Sequence, residues 1–101
     1  MRFDKRVDLY SLIIVEDSIG GREEQLTFIK SVYANVNTLT FEETVKIYGE
    51  AMTGILKVTI QGFINVNIDR IKYNKKTYKV KKNSQIKNKT SYLLEVIEDE
   101  H

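Results

Sequence analysis

Apolar side chains recur at every second position on both sides of a polar break near residue 74. A period of two is typical of β-strands that bury one face. The break itself, Asn74-Lys75-Lys76, is short enough for a tight turn. The sequence therefore predicts a β-hairpin over residues 69–80. The residues that define this hairpin are Arg70, Ile71, Tyr73, Tyr78 and Val80.

The same alternation predicts four further strands, at residues 7–15, 26–36, 56–64 and 92–97. Residues 7–15 become apolar on both faces toward their C-terminal end, which is typical of a strand that enters a buried layer. Lys30 interrupts the apolar face of the next strand, so we expect a β-bulge near it. Residues 92–97 are apolar on both faces, and we expect them to form a central or closing strand.

One segment carries the signals of a helix. Thr40 and Glu43 have the spacing of a capping box, in which each side chain bonds the backbone N–H of the other residue. An apolar face follows at helical spacing, formed by Phe41, Val45, Tyr48 and Met52. Gly54 is the predicted stop, and Gly49 weakens the helix by up to about 1 kcal/mol relative to alanine. We expect a short helix that depends on tertiary packing and plugs the sheet.

The remaining segments are predicted loops and turns. Residues 17–24 contain paired glycines and read as a flexible connection. Turns are expected at residues 83–84 and 87–89. About six strands and one short helix indicate a mainly β fold, either a sandwich or a small closed or partly open β-barrel. A single domain over residues 1–101 favours the barrel, because closure removes exposed edges.

Charge is unevenly distributed, although the net charge is only +2. Residues 1–68 hold 7 basic and 9 acidic side chains, whereas residues 69–91 hold 9 basic side chains against Asp69 alone. Residues 92–101 hold 4 acidic side chains and no lysine or arginine. A cationic block beside an acidic end creates a strong, uneven electrostatic potential at the surface. The candidate contact residues of this basic face are Lys75, Lys76, Lys79, Lys81, Lys82, Lys87 and Lys89.

The basic face has three interpretations: a solvated hairpin with solubilising lysines, a contact with a polyanion, or charge-complementary association between copies. Aromatic side chains bear on the second, since binders of single strands stack bases on exposed rings beside cations. Tyr73 and Tyr78 lie on the apolar alternation and are predicted to be core residues instead. Phe63 and Tyr10 are better candidates for an intermolecular surface.

Reactive side chains are scarce in this sequence. There is no cysteine, and the one histidine is His101 at the chain end, so we expect neither a transition-metal site nor a thiol nucleophile. Adjacent glutamates point apart on a strand or helix and do not make a catalytic pair. No apolar run approaches the roughly 20 residues that span a bilayer. The sequence predicts a cytosolic, non-enzymatic protein with no cofactor and no membrane association.

Six short segments occur in a characteristic order: residues 6–10, 17–21, 32–36, 43–51, 69–73 (continued by Lys76, Tyr78 and Val80) and 92–96. Their order and spacing resemble the small head–tail joining proteins of long-tailed bacteriophages, also called head-completion, stopper or connector proteins. The chain departs from the family pattern in two places. The hairpin turn has no glycine, and residues 61–63 lack the common arginine.

This resemblance implies a small β-barrel with one helix that assembles with itself as a ring below the portal and its adaptor. The ring seals the DNA-filled head and docks the tail or a tail-completion protein, while genomic double-stranded DNA passes through it non-specifically. The protein is then a virion component at the head–tail interface, assembled in the bacterial host cytoplasm. A ring needs heterologous interfaces, and the acidic end of one copy facing the basic hairpin of the next would suit them.

A channel for DNA requires a lining that touches phosphates only weakly, so loops are expected to supply any gate. Two segments qualify, residues 17–24 and residues 37–54. The candidate gating residues in them are Asp17, Ser18, Gly20, Gly21, Thr38, Thr40 and Glu43. Two alternatives remain open: an OB-like nucleic-acid-binding protein that uses residues 70–89, and a tail terminator or completion protein of similar barrel type.

Overall fold

The structure of the protein, a computed structural model, describes residues 2–99. Its elements are, in chain order, β1 (Lys5–Glu16), β2 (Arg22–Thr38), α1 (Phe41–Tyr48), β3 (Ile55–Gln61), β4 (Arg70–Tyr73), β5 (Lys76–Ile86) and β6 (Lys89–Asp99). The strands pair antiparallel throughout and close into a barrel in the order β1-β2-β3-β6-β5-β4. The predicted fold class, a mainly β barrel of six strands with one short helix, is confirmed.

The predicted hairpin over residues 69–80 is formed by β4 and β5. Ile71 lies directly opposite Tyr78, and both side chains are buried in the barrel. Tyr73 and Val80 are half-buried and pack against this core. The core is completed by inward-facing residues of the other strands and of the segment before β4, namely Val7, Leu9, Ala34, Val58, Ile60, Ile68, Tyr92 and Leu94.

The turn of this hairpin contains two residues, Asn74 and Lys75, because Lys76 already belongs to β5. Both turn residues have positive φ, 52° and 65° respectively. Two consecutive left-handed residues define a type I′ turn, whose twist matches that of the flanking strands. Asparagine tolerates this backbone conformation, whereas lysine adopts it at a cost.

Replacing Lys75 with glycine is expected to stabilise the barrel by roughly 0.5–1 kcal/mol, because Asn-Gly is the preferred type I′ sequence and glycine carries no penalty at positive φ. Urea denaturation of the wild type and of Lys75→Gly measures the difference. Lys79→Gly is the matched control, since Lys79 lies on β5 in the middle of a strand pair, where glycine weakens the strand. Equal destabilisation by both substitutions would contradict the turn assignment.

Four further sequence predictions concern the sheet and its turns. The register of β1 and β2 shifts so that Leu9 pairs with Lys30 and Tyr10 with Phe28, which confirms the predicted bulge beside Lys30. β6 lies between β3 and β5, as predicted for the central strand. The turn expected at residues 83–84 is wrong, because β5 continues through them to Ile86. The other expected turn is present and centres on residues 87–88.

The helix begins as predicted, with Thr40 as its N-cap and both hydrogen bonds of the capping box present. It ends at Tyr48 rather than near Gly54, because Gly49 takes the left-handed C-cap conformation with φ 81°. The predicted apolar face is wrong in part, since Tyr48 and Met52 are half-buried but the other two residues are not. Phe41 and Val45 are exposed, and Thr44 is the buried residue of the helix. No helix residue belongs to the main core cluster of the described chain, so α1 packs beside the barrel and does not plug it.

The C-terminal half of β1 does not enter a buried layer, contrary to its apolar pattern. Residues 11–16 pair with residues 22–27 and extend beyond the end of β4, with Ile13, Ile14 and Val15 exposed. We call residues 11–28 the β1–β2 ribbon. The molecule is correspondingly elongated, with extents of 48 × 29 × 29 Å. Within residues 2–99, the structure contains no helix with the length and apolar character needed to cross a membrane.

Candidate functional site

The most distinctive surface is the outer face of the β1–β2 ribbon, where large apolar side chains are open to solvent. Phe28 is 54% exposed, Leu26 is 41% exposed and Ile14 is 60% exposed. The Phe28 ring meets the Tyr10 ring edge-on, with centroids 5.6 Å apart. Contiguous exposed apolar surface on a small protein marks a site of interaction with another macromolecule.

Lysine lies beside this apolar surface at the base of the ribbon. Lys72 Nζ is 5.0 Å from the centroid of the Tyr10 ring, within the range of a cation–π contact. Tyr10 was predicted as an intermolecular residue; it is half-buried, while Phe28 beside it is more open. Phe63, the other predicted contact residue, is 50% exposed and follows β3 rather than the ribbon.

The tip of the ribbon is the first predicted gating loop, and one carboxylate organises it. Asp17 Oδ1 accepts hydrogen bonds from the N–H groups of Ile19, at 3.0 Å, and Gly21, at 2.6 Å. A Cβ atom on Gly21 would collide with this carboxylate. Ser18 and Gly20 lie between these anchor points, and Gly20 has φ 84°. The loop is therefore a turn with its own hydrogen bonds, and it is shorter than the predicted loop over residues 17–24, because β2 already begins at Arg22.

The barrel closes at a short seam, because β1 and β4 pair over only residues 8–10 and 70–72. Asp69 lies next to this seam and forms three hydrogen bonds to the neighbouring strands. Its carboxylate accepts from the Leu12 N–H at 2.8 Å, its own N–H donates to the Tyr10 carbonyl at 2.9 Å, and its carbonyl accepts from the Val80 N–H at 3.1 Å. Asp69 thus joins β1 to β5 just before β4 begins, and it fixes the base of the ribbon.

The second predicted gating segment contains α1, which packs on the outer face of the sheet. Inside the helix, the Thr44 hydroxyl donates to the Phe41 carbonyl at 2.8 Å and accepts from the Met52 N–H at 3.0 Å. The Leu39 N–H donates to the Ile55 carbonyl at 2.9 Å. A groove of about 260 Å³ remains between helix and sheet, lined by residues that include Leu39, Glu43, Ile47, Lys57, Lys82 and Leu93. The helix is therefore held by the buried Thr44 in its middle and by contacts at its ends.

The three candidate gating residues of this segment have structural roles of their own. Thr38 ends β2, and Thr40 caps α1. The Glu43 carboxylate accepts from the Thr40 N–H at 3.0 Å, and these hydrogen bonds with Thr40 lower the pKa of Glu43, with weaker help from Lys57 and Lys46. The capping contribution is accordingly fully present above the ordinary glutamate pKa and is lost as the pH falls through the lowered pKa of Glu43.

Lys82 connects the basic strand to the helix. Its Nζ lies 5.2 Å from the centroid of the Tyr48 ring and 3.3 Å from the Ile47 carbonyl oxygen. A cation near the last carbonyls of a helix is favourable because the helix dipole is negative there. Burial raises the pKa of the Tyr48 hydroxyl, and the charge of Glu95 adds to that rise.

The predicted basic face is a stripe along one strand rather than a compact patch. Lys76, Lys79, Lys81 and Lys82 belong to β5, while Lys75 and Lys87 occupy the turns at its two ends and Lys89 begins β6. At about 3.3 Å per residue, β5 is roughly 35 Å long. Lys81 forms an exposed ion pair with Glu95 at 3.6 Å, and Lys89 Nζ is 6.0 Å from the Phe3 ring centroid. The stripe is thus cationic but partly engaged within the chain.

Tyrosines of the core are not available for base stacking. Tyr78 is buried, Tyr73 is half-buried, and burial raises the pKa of Tyr92 inside the barrel. Among residues 2–99, no group of three or more histidine, cysteine, aspartate or glutamate side chains is arranged to hold a metal ion. The described surface offers exposed apolar side chains on the ribbon and cationic side chains along β5.

Sequence reasoning did not find the ribbon surface or the role of Asp69. The signal for the ribbon was present in residues 12–15, which are apolar on both faces, but this pattern fits a buried strand equally well. Asp69 belongs to the predicted hairpin, yet its bond to Leu12 spans 57 positions of the chain. A local sequence pattern does not predict a hydrogen bond between residues so far apart in the chain.

Known proteins resemble this chain both in sequence and in structure. The family model described as "Phage head completion protein" matches residues 1–100 of the chain. No curated protein sequence matches the chain. Among solved structures, the solution structure of protein SF1141 from Shigella flexneri 2a is similar, with a TM-score of 0.78 and 17% sequence identity over 94% of this chain and 93% of that one. That similarity supports the fold alone.

Proposed function

This chain belongs to the phage head completion protein family, and from that premise we propose that it is a structural subunit of the head–tail connector. In this role, copies form a ring below the portal and its adaptor. The ring closes the DNA-filled head and provides the face to which the tail or a tail-completion protein docks. The family match over residues 1–100 is the observation that carries the proposal.

Features of the described surface support a role in assembly rather than in chemistry. A closed barrel provides a rigid body, and the ribbon presents exposed apolar residues such as Ile14 and Phe28 to a partner. Genomic double-stranded DNA would pass through the ring with non-specific contacts only. The virion is then the location of the assembled protein, and the bacterial host cytoplasm is the place of assembly.

Of the two candidate gates, the segment that contains α1 suits the task better. The ribbon tip is closed by the carboxylate of Asp17, whereas the helix lies over a groove and contributes no residue to the main core cluster of the described chain. A segment that lies outside the main core cluster can move without unfolding the barrel. We therefore propose that residues 39–54 close the channel after packaging.

A tail terminator or completion role remains the alternative, because it differs only in the partner. An OB-like nucleic-acid binder is favoured by one observation, the cationic stripe along β5. Such binding would weaken steeply with salt, since each neutralised phosphate releases counterions.

Electron microscopy of the protein mixed with the portal and adaptor complexes of its own phage tests the proposal. We expect an added ring of density on the adaptor face in negative stain. Addition to an isolated tail tube, with none to the portal complex, would support the alternative assignment. Failure to join either assembly, together with tight binding of a fluorescent single-stranded oligonucleotide at low salt, would contradict the proposed function.

A further inference from the structure

One edge of β2 has no strand beside it over most of its length. β3 pairs with β2 only over residues 34–38, so that residues 22–33 have β1 as their single strand neighbour in the described chain. The Leu12 N–H donates to the Asp69 carboxylate and thus points away from β2. Its partner Leu26 must then direct its own N–H and C=O away from β1, toward the free edge. Such an edge is a template for an added strand.

A second free edge lies on β5. β4 pairs with β5 only over residues 76–79, and beyond Val80, whose N–H bonds Asp69, residues 81–86 have β6 as their single strand neighbour within residues 2–99. The residues of this edge are exposed, including Ile86. Residues 11–16 of β1 and 96–99 of β6 also have a single strand neighbour, so the β2 edge on the ribbon and the β5 edge on the basic strand are two of several open edges in the described chain.

The two edges are placed so that they can meet between copies. In the closed order β1-β2-β3-β6-β5-β4, β2 and β5 are separated by two strands on either side, so they lie on opposite sides of the barrel. Four residues on neighbouring strands form one row of pairs across the sheet, namely Phe28, Tyr10, Arg70 and Lys79. The free part of β2 and the free part of β5 both extend from this row toward the same end of the barrel. Opposite patches are what a head-to-tail ring requires.

Strand direction agrees with this placement. The antiparallel pairs β2–β3, β3–β6 and β6–β5 make β2 and β5 run in opposite directions. Rotation about an axis along the strands does not change these directions. The β2 edge of one copy and the β5 edge of the next would therefore meet as antiparallel strands, the more common pairing in sheets.

Charge is complementary between the β5 edge and the tip of the β2 edge. The β2 edge carries Arg22 and Lys30 as well as Glu23 and Glu24, and its acidic part lies at the ribbon tip, where Glu23 and Glu24 are next to Glu16 and Asp17. The β5 edge carries Lys81 and Lys82, with Lys87 at its turn. Opposite charges across neighbouring strands are favourable, and like charges are unfavourable. The same pattern disfavours pairing of two β2 edges or of two β5 edges.

We propose that the free edge of β2 in one copy adds to the free edge of β5 in the next copy, and that this strand pairing is the subunit interface. This inference rests on the proposed ring function and names the surfaces that build the ring. The pairing would also cover exposed apolar residues at both edges, Leu26 on β2 and Ile86 on β5.

A pair of charge-reversal variants tests the interface. In the first, Lys81→Glu and Lys82→Glu make both edges acidic; in the second, Glu23→Lys and Glu24→Lys make both edges basic. Each variant is added alone, and then as an equimolar mixture, to portal–adaptor complexes at low salt. We expect each variant alone to lose ring formation and the mixture to restore it, because mixed neighbours again pair acidic with basic edges. The charge-matched control is Lys5→Glu with Lys75→Glu, because Lys5 begins β1 and Lys75 lies in the β4–β5 turn, at the opposite end of β5 from residues 81–86.

The outcomes separate the interface from the function. Rings formed by each variant alone, as by the wild type, would overturn the strand-pairing interface and leave the ring function standing. Failure of the mixture, with the control still forming rings, would overturn it as well. Failure of the wild type to join the portal complex would instead overturn the ring function, and with it this inference. Recovery on mixing also excludes misfolding of the separate variants.

Discussion

Tyr78→Ala is expected to destabilise the barrel by about 3–5 kcal/mol, the range for removal of a large buried aromatic side chain. Tyr78 is 6% exposed, lies opposite Ile71 in the β4–β5 hairpin and belongs to the core cluster. Because small domains are stable by only about 5–15 kcal/mol, the variant would be close to unfolding at room temperature. Urea denaturation followed by far-ultraviolet circular dichroism measures the change.

Tyr33→Ala is the matched control for this prediction, since Tyr33 lies on β2 and is 64% exposed. Its effect should stay within about 0.5 kcal/mol, as for surface substitutions in general. Similar losses from the two substitutions would show that the alternation of the hairpin does not set which face is buried. A mild effect of Tyr78→Ala alone would lead to the same conclusion.

Asp69→Ala is expected to cost about 1.5–3 kcal/mol, the range for a hydrogen bond to a charged group. The substitution removes the acceptor of the Leu12 N–H, which is part-buried, while the two backbone hydrogen bonds of residue 69 remain possible. The loss falls at the seam between β1 and β4, where the barrel is closed by the fewest paired residues. Hydrogen exchange should therefore also rise at Leu12 and along the base of the ribbon.

Asp69→Asn retains an oxygen acceptor at the same position and serves as the control. It should lose less than half of the stability that Asp69→Ala loses, because the bond to Leu12 can persist without the negative charge. If both variants melt like the wild type, the seam is held by the strand pairs alone and Asp69 has no part in closing the barrel.

Local signals in the sequence were sufficient for the parts of the fold that local physics determines. The alternation around residue 74 gave the β4–β5 hairpin, and Thr40 with Glu43 gave the start of α1. Lys30, a charged residue on an apolar face, marked the bulge. In each case the signal and the structure lie within a few residues of each other.

Features that depend on distant neighbours were not predictable in this way. Alternation indicates which side chains share a face, but it does not indicate whether another layer covers that face. The pattern of residues 12–15 therefore predicts a buried strand, although the ribbon is exposed. The helix face was wrong in part for a similar reason. α1 turns the small Thr44 inward and leaves Phe41 exposed, because the helix packs beside the barrel rather than inside it.

The same distinction between local and distant contacts applies to the candidate site. The basic residues of β5 were identified from the sequence, but their partners were not, since Lys81 meets Glu95 and Lys82 meets Tyr48 across the fold. The roles of these lysines and of the two gating segments in assembly remain predictions. The most specific signal in the sequence is the order of its motifs, which indicates a family of head–tail joining proteins. The match to the phage head completion protein family confirms that assignment.

Complementation of a phage that lacks this gene tests the central claim most directly. Electron microscopy of lysates, with measurement of the DNA retained in purified heads, should show unjoined heads and tails and heads that leak DNA when the protein is missing. The wild-type protein supplied in trans should restore joined, DNA-tight particles. Normal virions in the absence of the gene would contradict the account.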